Sequence, residues 1–395
     1  MSGPPEVPPL AAPCQSSRVR IDLDQNATTR LDARASAAMR AALDDVQGNP
    51  SSIHTEGRRA RDAVERARAQ VAALIGAVPS EIIFTSGGTE ANVLGIIGLA
   101  RAAEGPRRVV TSPLEHPAVR GATQALAGEG FEVIHVPVDA AGRIEASDVR
   151  RALAGGAAVA TFALAQNELG NLYDVPAFAA LAREAGAPIH TDAVQAVGKL
   201  PVDVRALAVD ALALSAHKIH GPKGVGALWL RGGSAFAAAP GGHQERGLRP
   251  GTENLVGIVG FGVAAQACRT DCGRSWREQA RLRDRLEAAA LAIPGARRHG
   301  DPDRRVPNTT SLAFRGVPGD ILVAALDLEG VAASTGSACT SGTVEPSAVL
   351  LALGLARGQA GEAVRLSLGR DTTEGDVDRV AALLPPIVER IRASL

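Results

Sequence analysis

The sequence predicts an α/β protein: a large domain built on a mainly parallel seven-stranded sheet, followed by a smaller α+β carboxy-terminal domain. Between about residues 30 and 260, apolar strand-like runs alternate with helical patterns. This alternation is typical of a parallel sheet covered by helices on both faces. At 395 residues the chain is also long for a single hydrophobic core, which favours two domains.

Seven apolar runs are the candidate strands of the large sheet. They span residues 81–85, 108–111, 132–136, 158–163, 188–191, 211–215 and 226–230. Helical patterns separate most of them, at residues 58–75, 91–103, 118–127 and 175–185. Ligands of parallel sheets bind at the carboxyl ends of the strands, and the polar clusters of this sequence fall at those ends.

Composition and patterning also predict the domain limits. A proline-rich stretch indicates a flexible arm at residues 1–18, the large domain covers residues 19–258, and the small domain covers residues 259–395. A glycine- and proline-rich loop at residues 240–250 precedes the boundary. The elements predicted beyond it are helices at residues 257–293, 318–329 and 374–393 and strands at residues 310–314 and 363–368.

The charge balance and the cysteines exclude several classes of protein. Lysine plus arginine and aspartate plus glutamate each total 42, so the net charge is zero, which argues against a nucleic-acid or membrane-surface protein. No apolar run approaches the ~20 residues of a membrane span, and the amino terminus lacks the pattern of a secretory signal. Cys14, Cys268, Cys272 and Cys339 form no CxxC pair or disulfide framework, which favours the cytoplasm. The histidines show no zinc-binding spacing, so we expect no metal site.

Lys218 follows an apolar run that ends at Ser215, and a Gly-Pro turn comes after it. A lysine amine at the end of a buried strand loses water, which lowers its pKa and frees it for Schiff-base chemistry. Ser215 and His217 stand beside it and can hold an anionic group. A surface lysine at a strand end is the alternative interpretation of this motif alone.

The run Ser86-Gly-Gly-Thr-Glu90 lies between a predicted strand and a predicted helix. Glycines let the backbone approach an anion, and a helix amino terminus offers free N–H groups and the positive end of a dipole. Gly88 and Thr89 therefore predict a phosphate cradle, although it is not a nucleotide P-loop because it lacks the Gly-Lys-Ser/Thr sequence. An ordinary glycine-rich turn is the alternative.

Four more polar residues follow strands of the same sheet: His116, Asn167, Asp192 and Gln195. A carboxylate such as Asp192 can pair with a pyridinium nitrogen and keep the ring an electron sink, and Gln195 can bond a ring hydroxyl. His116 can stack on the ring and move protons, and Asn167 can bond the cofactor or a substrate carboxylate. Each has a structural alternative, such as Asp192 capping a helix, but together with Lys218 they predict a pyridoxal-phosphate site.

A single cysteine, Cys339, lies in a run of small residues at 334–342. Such a run has little means of burying a thiol, and an accessible cysteine with a lowered pKa is a nucleophile. An incidental cysteine in a linker is the alternative. Arg365 lies on the predicted strand at 363–368, and its guanidinium fork matches a substrate carboxylate.

These residues resemble those of the cysteine desulfurases, fold-type I enzymes of the class V aminotransferase family that use pyridoxal phosphate. The resemblance extends from about Ile21 to Arg390. One motif, Leu23-Asp-Gln-Asn-Ala-Thr-Thr29, is similar to the opening strand of the family. The other motifs are Asn49-Pro-Ser-Ser-Ile-His54, Arg246-Gly-Leu-Arg-Pro-Gly-Thr-Glu-Asn254 and Ser337-Ala-Cys-Thr-Ser341. The last is the most specific, and it resembles the nitrogen-fixation and iron–sulfur-assembly subgroup.

The resemblance implies a role for each site residue. Lys218 would bond the cofactor, Cys339 would accept sulfur, and His116 would stack on the ring and take part in catalysis. By the same resemblance, the phosphate would be bound by Gly88, Thr89, Ser215 and His217, and Thr252 would reach the cofactor of a second subunit. The ring would be contacted by Asp192 and Gln195. The substrate carboxylate would be bound by Asn26, Asn167 and Arg365.

The implied activity is removal of sulfur from L-cysteine, which leaves L-alanine and a persulfide on Cys339. The implied assembly is a homodimer that passes the sulfur to an acceptor, such as an iron–sulfur scaffold or a sulfur-relay protein. Two other class V activities remain open, a selenocysteine lyase and an aminotransferase, although an aminotransferase needs no thiol. A pyridoxal-phosphate protein that serves chiefly as a docking partner in a sulfur relay is a further alternative.

Overall fold

The chain forms a seven-stranded sheet and a three-stranded sheet, each packed against helices. The computed structural model describes residues 20–335 and 345–395, except for the side chains of residues 272–275. Its strands are β1 (Ile21–Asp22), β2 (Ile82–Thr85), β3 (Arg108–Thr111), β4 (Glu132–His135), β5 (Val159–Ala163), β6 (Ile189–Asp192), β7 (Ala211–Ser215), β8 (Gly226–Leu230), β9 (Ala296–His299), β10 (Thr309–Phe314), β11 (Val331–Ala332) and β12 (Ala363–Ser367). Its α-helices are α1 (Ala33–Asp45), α2 (Thr55–Leu74), α3 (Gly88–Ala102), α4 (Pro117–Gly128), α5 (Ala146–Ala152), α6 (Val175–Glu184), α7 (Val204–Leu207), α8 (Leu255–Leu291), α9 (Gly319–Leu328), α10 (Ala348–Ala352), α11 (Arg357–Gly361) and α12 (Glu374–Ser394). Short 3-10 helices lie at Pro79–Glu81, Ala216–Lys218 and Glu245–Gly247.

The large sheet has the strand order β2-β8-β7-β6-β5-β3-β4. Parallel pairing joins β4, β3, β5, β6 and β7, whereas β8 runs antiparallel to both of its neighbours. The predicted α/β class with a mainly parallel seven-stranded sheet is therefore confirmed. Because β5, β6 and β7 are parallel neighbours, their carboxyl ends meet at one edge of the sheet, where ligands of such folds bind.

Both faces of the large sheet are buried. Val109 of β3 packs in a core that includes Ile96 of α3, whereas the next residue, Val110, packs in a core that includes Phe178 of α6. Successive residues of a strand point to opposite faces, so a strand covered on both sides is apolar throughout. This is why the strands stand out in the sequence as continuous apolar runs.

A further core lies around the three-stranded antiparallel sheet, which has the order β12-β10-β9. Leu312 and Leu366 of this sheet pack with Leu286 of α8. Phe261, near the start of the same helix, packs in a core of the large sheet. The amino-terminal β1 pairs in parallel with β11, and Ile21 belongs to the core of the small sheet. The long helix α8 therefore contributes to the packing of both sheets.

The segment at residues 23–29, predicted as an opening strand, contains a turn and no regular strand. Regular strand ends at Asp22, a single bridge joins Asp24 to Ser367, and residues 25–27 form a turn. The strand prediction is wrong here because the carbonyls of Asn26 and Ala27 accept hydrogen bonds from a lysine side chain, and not from a neighbouring strand.

A buried ion pair fixes the loop between β8 and α8. Arg68 of α2 donates from its two terminal nitrogens to the two carboxylate oxygens of Glu245, at 2.6 and 2.9 Å, and both side chains are buried. The Phe84 N–H of β2 also donates to Glu245, at 2.9 Å. Glu245 and Arg246 have left-handed φ angles of 47° and 59°, which residues with a side chain rarely adopt. The ion pair therefore holds a strained turn in place.

The substitution Arg68→Met is expected to lower the free energy of unfolding by about 3–5 kcal/mol, because it leaves the Glu245 carboxylate buried without its cation. Urea unfolding followed by circular dichroism measures the change. The double variant Arg68→Met/Glu245→Gln removes both charges and should recover a large part of the loss. A single variant as stable as the wild type would contradict the prediction.

Candidate functional site

A cavity of about 350 Å³ lies where β5, β6 and β7 end and α3 begins. Its volume is within the range of small-molecule sites. The predicted site residues that line it are Asn26, Gly88, Thr89, His116, Asn167, Asp192, Gln195, Ser215, His217, Lys218 and Arg365. The fold therefore brings together polar residues that are far apart in the sequence, as the arrangement of parallel strands led us to expect.

One part of the cavity is formed by the start of α3. Gly88 opens this helix of 15 residues, where the first N–H groups have no carbonyl within the helix to accept them. A Cβ atom at Gly88 would lie 2.7 Å from Val194 Cγ2, which leaves little room for a side chain. The buried Ser215 hydroxyl has no hydrogen-bond partner within the described residues. Free N–H groups, a positive helix end and an unused hydroxyl together fit a phosphate group.

His217 and Thr89 also line the cavity. The Nδ1 atom of His217 lies 3.2 Å from the hydroxyl of Thr28. Burial lowers the pKa of His217 to about 4, and the positive charge of Lys218 acts in the same direction. The imidazole is therefore neutral near pH 7, a form that can donate one hydrogen bond to an anion.

Asp192 ends β6 and is buried. One carboxylate oxygen accepts the Val194 N–H at 2.9 Å, and the other accepts from the Asn92 side-chain amide at 2.8 Å. A carboxylate has about four acceptor positions, so Asp192 can accept a further donor from the cavity. The protonated nitrogen of a pyridine ring fits this position. Asn92 of α3, which orients the carboxylate, is a site residue that the sequence reasoning missed.

Lys218 follows β7 on a turn of 3-10 helix. Its Nζ atom donates to the carbonyls of Asn26 and Ala27, the second at 2.8 Å. Burial lowers the pKa of Lys218 to about 8, and the charge of Arg365 acts in the same direction. A larger fraction of the amine is therefore neutral near pH 7 than in an ordinary lysine, and the neutral amine is the form that makes a Schiff base.

His116 caps α4 at the wall of the cavity, where its Nδ1 atom accepts the Ala118 N–H at 3.1 Å. An accepting Nδ1 places the proton of the neutral ring on Nε2. Burial lowers the pKa of His116, an effect that the negative charge of Asp192 opposes and that of Lys218 reinforces. A neutral imidazole with its proton on Nε2 is suited to lie against a cofactor ring and to donate a proton.

Arg365 of β12 lines the cavity and is paired with Asp24. One terminal nitrogen lies 2.7 Å from Asp24 Oδ1, and the other donates to the Asn167 carbonyl at 3.1 Å. The Nε–H group is buried and has no acceptor within the described residues. Asp24 thus occupies part of the fork predicted to hold a substrate carboxylate, and a bound substrate shares the guanidinium with it or displaces it.

The Asn26 side chain makes hydrogen bonds to several residues of the protein, which the sequence analysis did not foresee. Its side-chain nitrogen donates to the Asn167 carbonyl at 3.1 Å and to the Thr309 hydroxyl at 2.9 Å. Its side-chain oxygen accepts from Lys199 at 2.6 Å and from Asn308 at 3.1 Å. An amide has two N–H donors, so Asn26 has to release one of these bonds before its side chain can bind a substrate carboxylate.

Gln195 is joined to a second lysine that the sequence reasoning missed. Its nitrogen donates to the Asn26 carbonyl at 3.0 Å, and its oxygen accepts from Lys199 Nζ. A signal for Lys199 was present in the sequence, because the chain has only three lysines, at positions 199, 218 and 223. All three lysines therefore lie between residues 199 and 223, a segment that includes the predicted cofactor lysine, Lys218.

Two predicted residues are not placed in this cavity. Cys339 lies outside the described residues, and Thr252 is exposed on the loop before α8, away from the cavity of its own chain. The described residues that flank positions 336–344 do reach the cavity. The Arg365 N–H donates to the Ser334 carbonyl at 2.6 Å, and Ser334 lines the cavity. On the other side, the Ser347 hydroxyl donates to the carboxylate of Glu168, which also lines the cavity.

Within residues 20–335 and 345–395, no group of three or more histidine, cysteine and carboxylate side chains could hold a metal ion. No helix in the same part of the chain is long and apolar enough to cross a membrane. Of the cysteines, Cys268 lies half-buried on α8.

The sequence matches the aminotransferase class-V family over residues 21–380, so the chain belongs to that family. The cysteine desulfurase NifS of Azotobacter vinelandii is 44% identical over 373 residues, which cover 94% of this chain and 93% of the relative. A solved NifS-like protein has a TM-score of 0.85 at 32% identity, covering 95% of this chain and 99% of its own. A structure described as SspA in complex with cysteine has a TM-score of 0.78 at 33% identity, covering 90% of this chain and 100% of its own.

These similarities bear directly on the expectations drawn from the sequence. The resemblance to cysteine desulfurases of the nitrogen-fixation type and the fold-type I architecture are confirmed. Members of the family use pyridoxal phosphate, so the predicted cofactor is confirmed as well. The roles of the individual site residues stay predictions.

The reactivity of Lys218 can be measured directly because the chain has only three lysines. We expect trace acetylation of the cofactor-free protein by acetic anhydride to reach half its maximum at Lys218 near pH 8, because only the neutral amine reacts. Peptide mass spectrometry at a series of pH values gives the titration, and the exposed Lys223 serves as the internal reference for the reagent. A midpoint above pH 10 at Lys218 would show that burial does not lower its pKa.

Proposed function

We propose that the protein is a cysteine desulfurase, which uses pyridoxal phosphate to remove sulfur from L-cysteine and releases L-alanine. The observation that carries the proposal is one cavity that combines the Lys218 amine, the Asp192 carboxylate, the start of α3 and the Arg365 guanidinium. The names of two relatives support it, a cysteine desulfurase NifS and a structure with bound cysteine.

The cavity residues hold the cofactor at three points. When bound, pyridoxal phosphate supplies an electron sink for negative charge at the α-carbon of the substrate. Asp192 would keep the ring nitrogen protonated, Gln195 would donate to the ring oxygen, and His116 would lie against the ring. Lys218 would bond the cofactor covalently, and Gly88, Thr89, Ser215 and His217 would hold the phosphate.

The substrate is held by its carboxylate and deprotonated by the lysine. Arg365 receives the carboxylate through its terminal nitrogens and its unused Nε–H group, with Asn167 and Asn26 beside it. The Lys218 amine, with its pKa lowered to about 8, takes the α-proton and later returns a proton to the product. The carbonyls of Asn26 and Ala27 orient this amine.

Cys339 accepts the sulfur. Its thiolate forms a bond to the sulfur of L-cysteine while the carbon–sulfur bond of the substrate breaks, so that Cys339–SH and L-cysteine become Cys339–S–SH and L-alanine. The exchange balances without an external oxidant or reductant. Ser334 lies at the cavity, and the five residues from there to Cys339 span at most about 17 Å when extended, which is enough to bring the thiol to the substrate.

The rest of the assembly follows from the same proposal. The enzyme is a cytoplasmic homodimer in which the exposed Thr252 reaches the cofactor of the second subunit, and the persulfide passes to an acceptor protein that serves iron–sulfur cluster assembly or another sulfur transfer. The chain divides into an arm at residues 1–18, a cofactor-binding domain at 19–258 and a smaller domain at 259–395 that carries Cys339. Helix α8 starts near the boundary and continues into the small domain.

Borohydride reduction identifies the lysine that bonds the cofactor. After reduction of the cofactor-loaded protein, we expect peptide mass spectrometry to find the phosphopyridoxyl group on Lys218 and on neither of the other two lysines. Lys218→Ala should lose the visible absorption band of the bound cofactor, whereas Lys223→Met should keep it. A label on Lys199, which is also buried, would overturn the assignment.

The decisive activity assay measures alanine and sulfide from L-cysteine in the presence of dithiothreitol, which discharges the persulfide. Equal amounts of both products are expected from the wild type. Cys339→Ala should lower both rates by a factor on the order of 1,000 and keep the cofactor absorption, because the thiol contacts the substrate and not the cofactor. Cys268→Ala, which removes a cysteine outside the cavity, is the matched control. Undiminished sulfide release by Cys339→Ala would exclude the role given to this thiol.

A further inference from the structure

Lys199 is a buried lysine whose amine contacts two uncharged amides. Its side chain is 7% exposed, and Nζ donates to Asn26 Oδ1 at 2.6 Å and to Gln195 Oε1. Burial lowers the pKa of Lys199 well below its usual value, and the charges of Lys218 and Arg365 act in the same direction. A buried cation without a counter-charge is costly, so a purely structural position would favour an apolar side chain here.

The number of hydrogen bonds matches a neutral amine. An uncharged lysine amine has two N–H bonds, and the amide oxygens of Asn26 and Gln195 accept two. Arginine could not take this place without a charge, because its guanidinium keeps its proton in proteins. The composition is consistent with a requirement for lysine here. Of the 42 lysine and arginine residues only three are lysines, so the chain uses arginine at the remaining positions.

The hydrogen bond from Lys199 bears on the orientation of the Gln195 side-chain amide, that is, on which neighbours its oxygen and its nitrogen contact. A side-chain amide has one accepting end and one donating end. Because Gln195 Oε1 accepts from Lys199, its Nε2 atom lies on the other side, where it donates one hydrogen to the Asn26 carbonyl at 3.0 Å. The second hydrogen of Nε2 has no acceptor within the part of the chain that the structure describes, and Gln195 lines the cofactor cavity.

Asn26 is oriented in the same way. Its oxygen faces Lys199 and Asn308, so its nitrogen faces Thr309 and the Asn167 carbonyl. Asn167 lines the cavity where the substrate carboxylate is expected. One amine therefore donates to the oxygens of two amides, one next to the expected ring position and one next to the expected carboxylate position.

We propose that Lys199 is a positioning residue that turns the Gln195 amide so that it offers an N–H group, and not a carbonyl, to the ring oxygen of pyridoxal phosphate. This inference rests on the proposed function. An N–H donor stabilises the deprotonated ring oxygen, whereas a carbonyl at the same place would repel it. Without Lys199, only the hydrogen bond from Gln195 Nε2 to the Asn26 carbonyl holds this orientation, so the amide rotates more readily and places its oxygen toward the cavity.

The test compares Lys199→Met with the wild type by two measurements that do not depend on turnover. The dissociation constant of pyridoxal phosphate for the cofactor-free protein should rise about tenfold, the effect of losing one hydrogen bond to a charged group. The absorption maximum of the bound cofactor should shift, because the ring oxygen loses its donor. Lys199→Leu carries the same expectations if the methionine variant fails to fold, and Lys223→Met, which removes an exposed lysine, should match the wild type.

A double variant shows whether Lys199 acts through Gln195. In a Gln195→Leu background, Lys199→Met should cause no further shift of the absorption maximum, because the amide that it orients is absent. An unchanged maximum in both Lys199 variants, an equal shift in Lys223→Met, or a full additional shift in the Gln195→Leu background would each overturn the inference. Failure of the wild type to bind pyridoxal phosphate would instead overturn the proposed function.

Discussion

The turn at residues 24–27 makes the contacts on which the rest of the site depends. The Asn26 carbonyl accepts from Gln195 and from Lys218, which follow two strands of the large sheet. The Asn26 side chain contacts Thr309 and the Asp24 carboxylate pairs with Arg365, both on the small sheet. Because the partners come from both sheets, the arrangement of the cavity requires the two sheets to be docked against each other.

The same contacts explain why the amino-terminal segment does not simply extend a sheet. Ile21 and Leu23 are buried in the core of the small sheet, which anchors the chain before the turn. Beyond that anchor, the carbonyls of Asn26 and Ala27 accept hydrogen bonds from side chains of the site. A segment that starts as a strand thus becomes a turn because its backbone acceptors are used to orient the reactive lysine.

The sequence was sufficient for the large sheet and for the residues that face the cavity. Most strands of that sheet are buried on both faces, as Val109 and Val110 of β3 show, and the positions of Asp192 and Ser215 follow from the rule that ligands bind where parallel strands end. Asn92, Lys199 and Asp24 were missed because each contacts another side chain and not a ligand. Their importance depends on three-dimensional pairing, as between Asn92 and Asp192, which are 100 residues apart, and no local pattern indicates such pairs.

Helix α8 has a consequence for how the protein melts. Its 37 residues make a rod about 55 Å long, with Phe261 in a core of the large sheet and Leu286 in the core of the small sheet. Loss of either core removes the packing from part of the helix, and a helix in water is stable mainly through such packing. Unfolding of either core is therefore coupled to unfolding of the other through α8, which favours a single thermal transition. A ligand bound in the cavity between the two sheets raises the melting temperature of the whole chain, since it stabilises both halves at once.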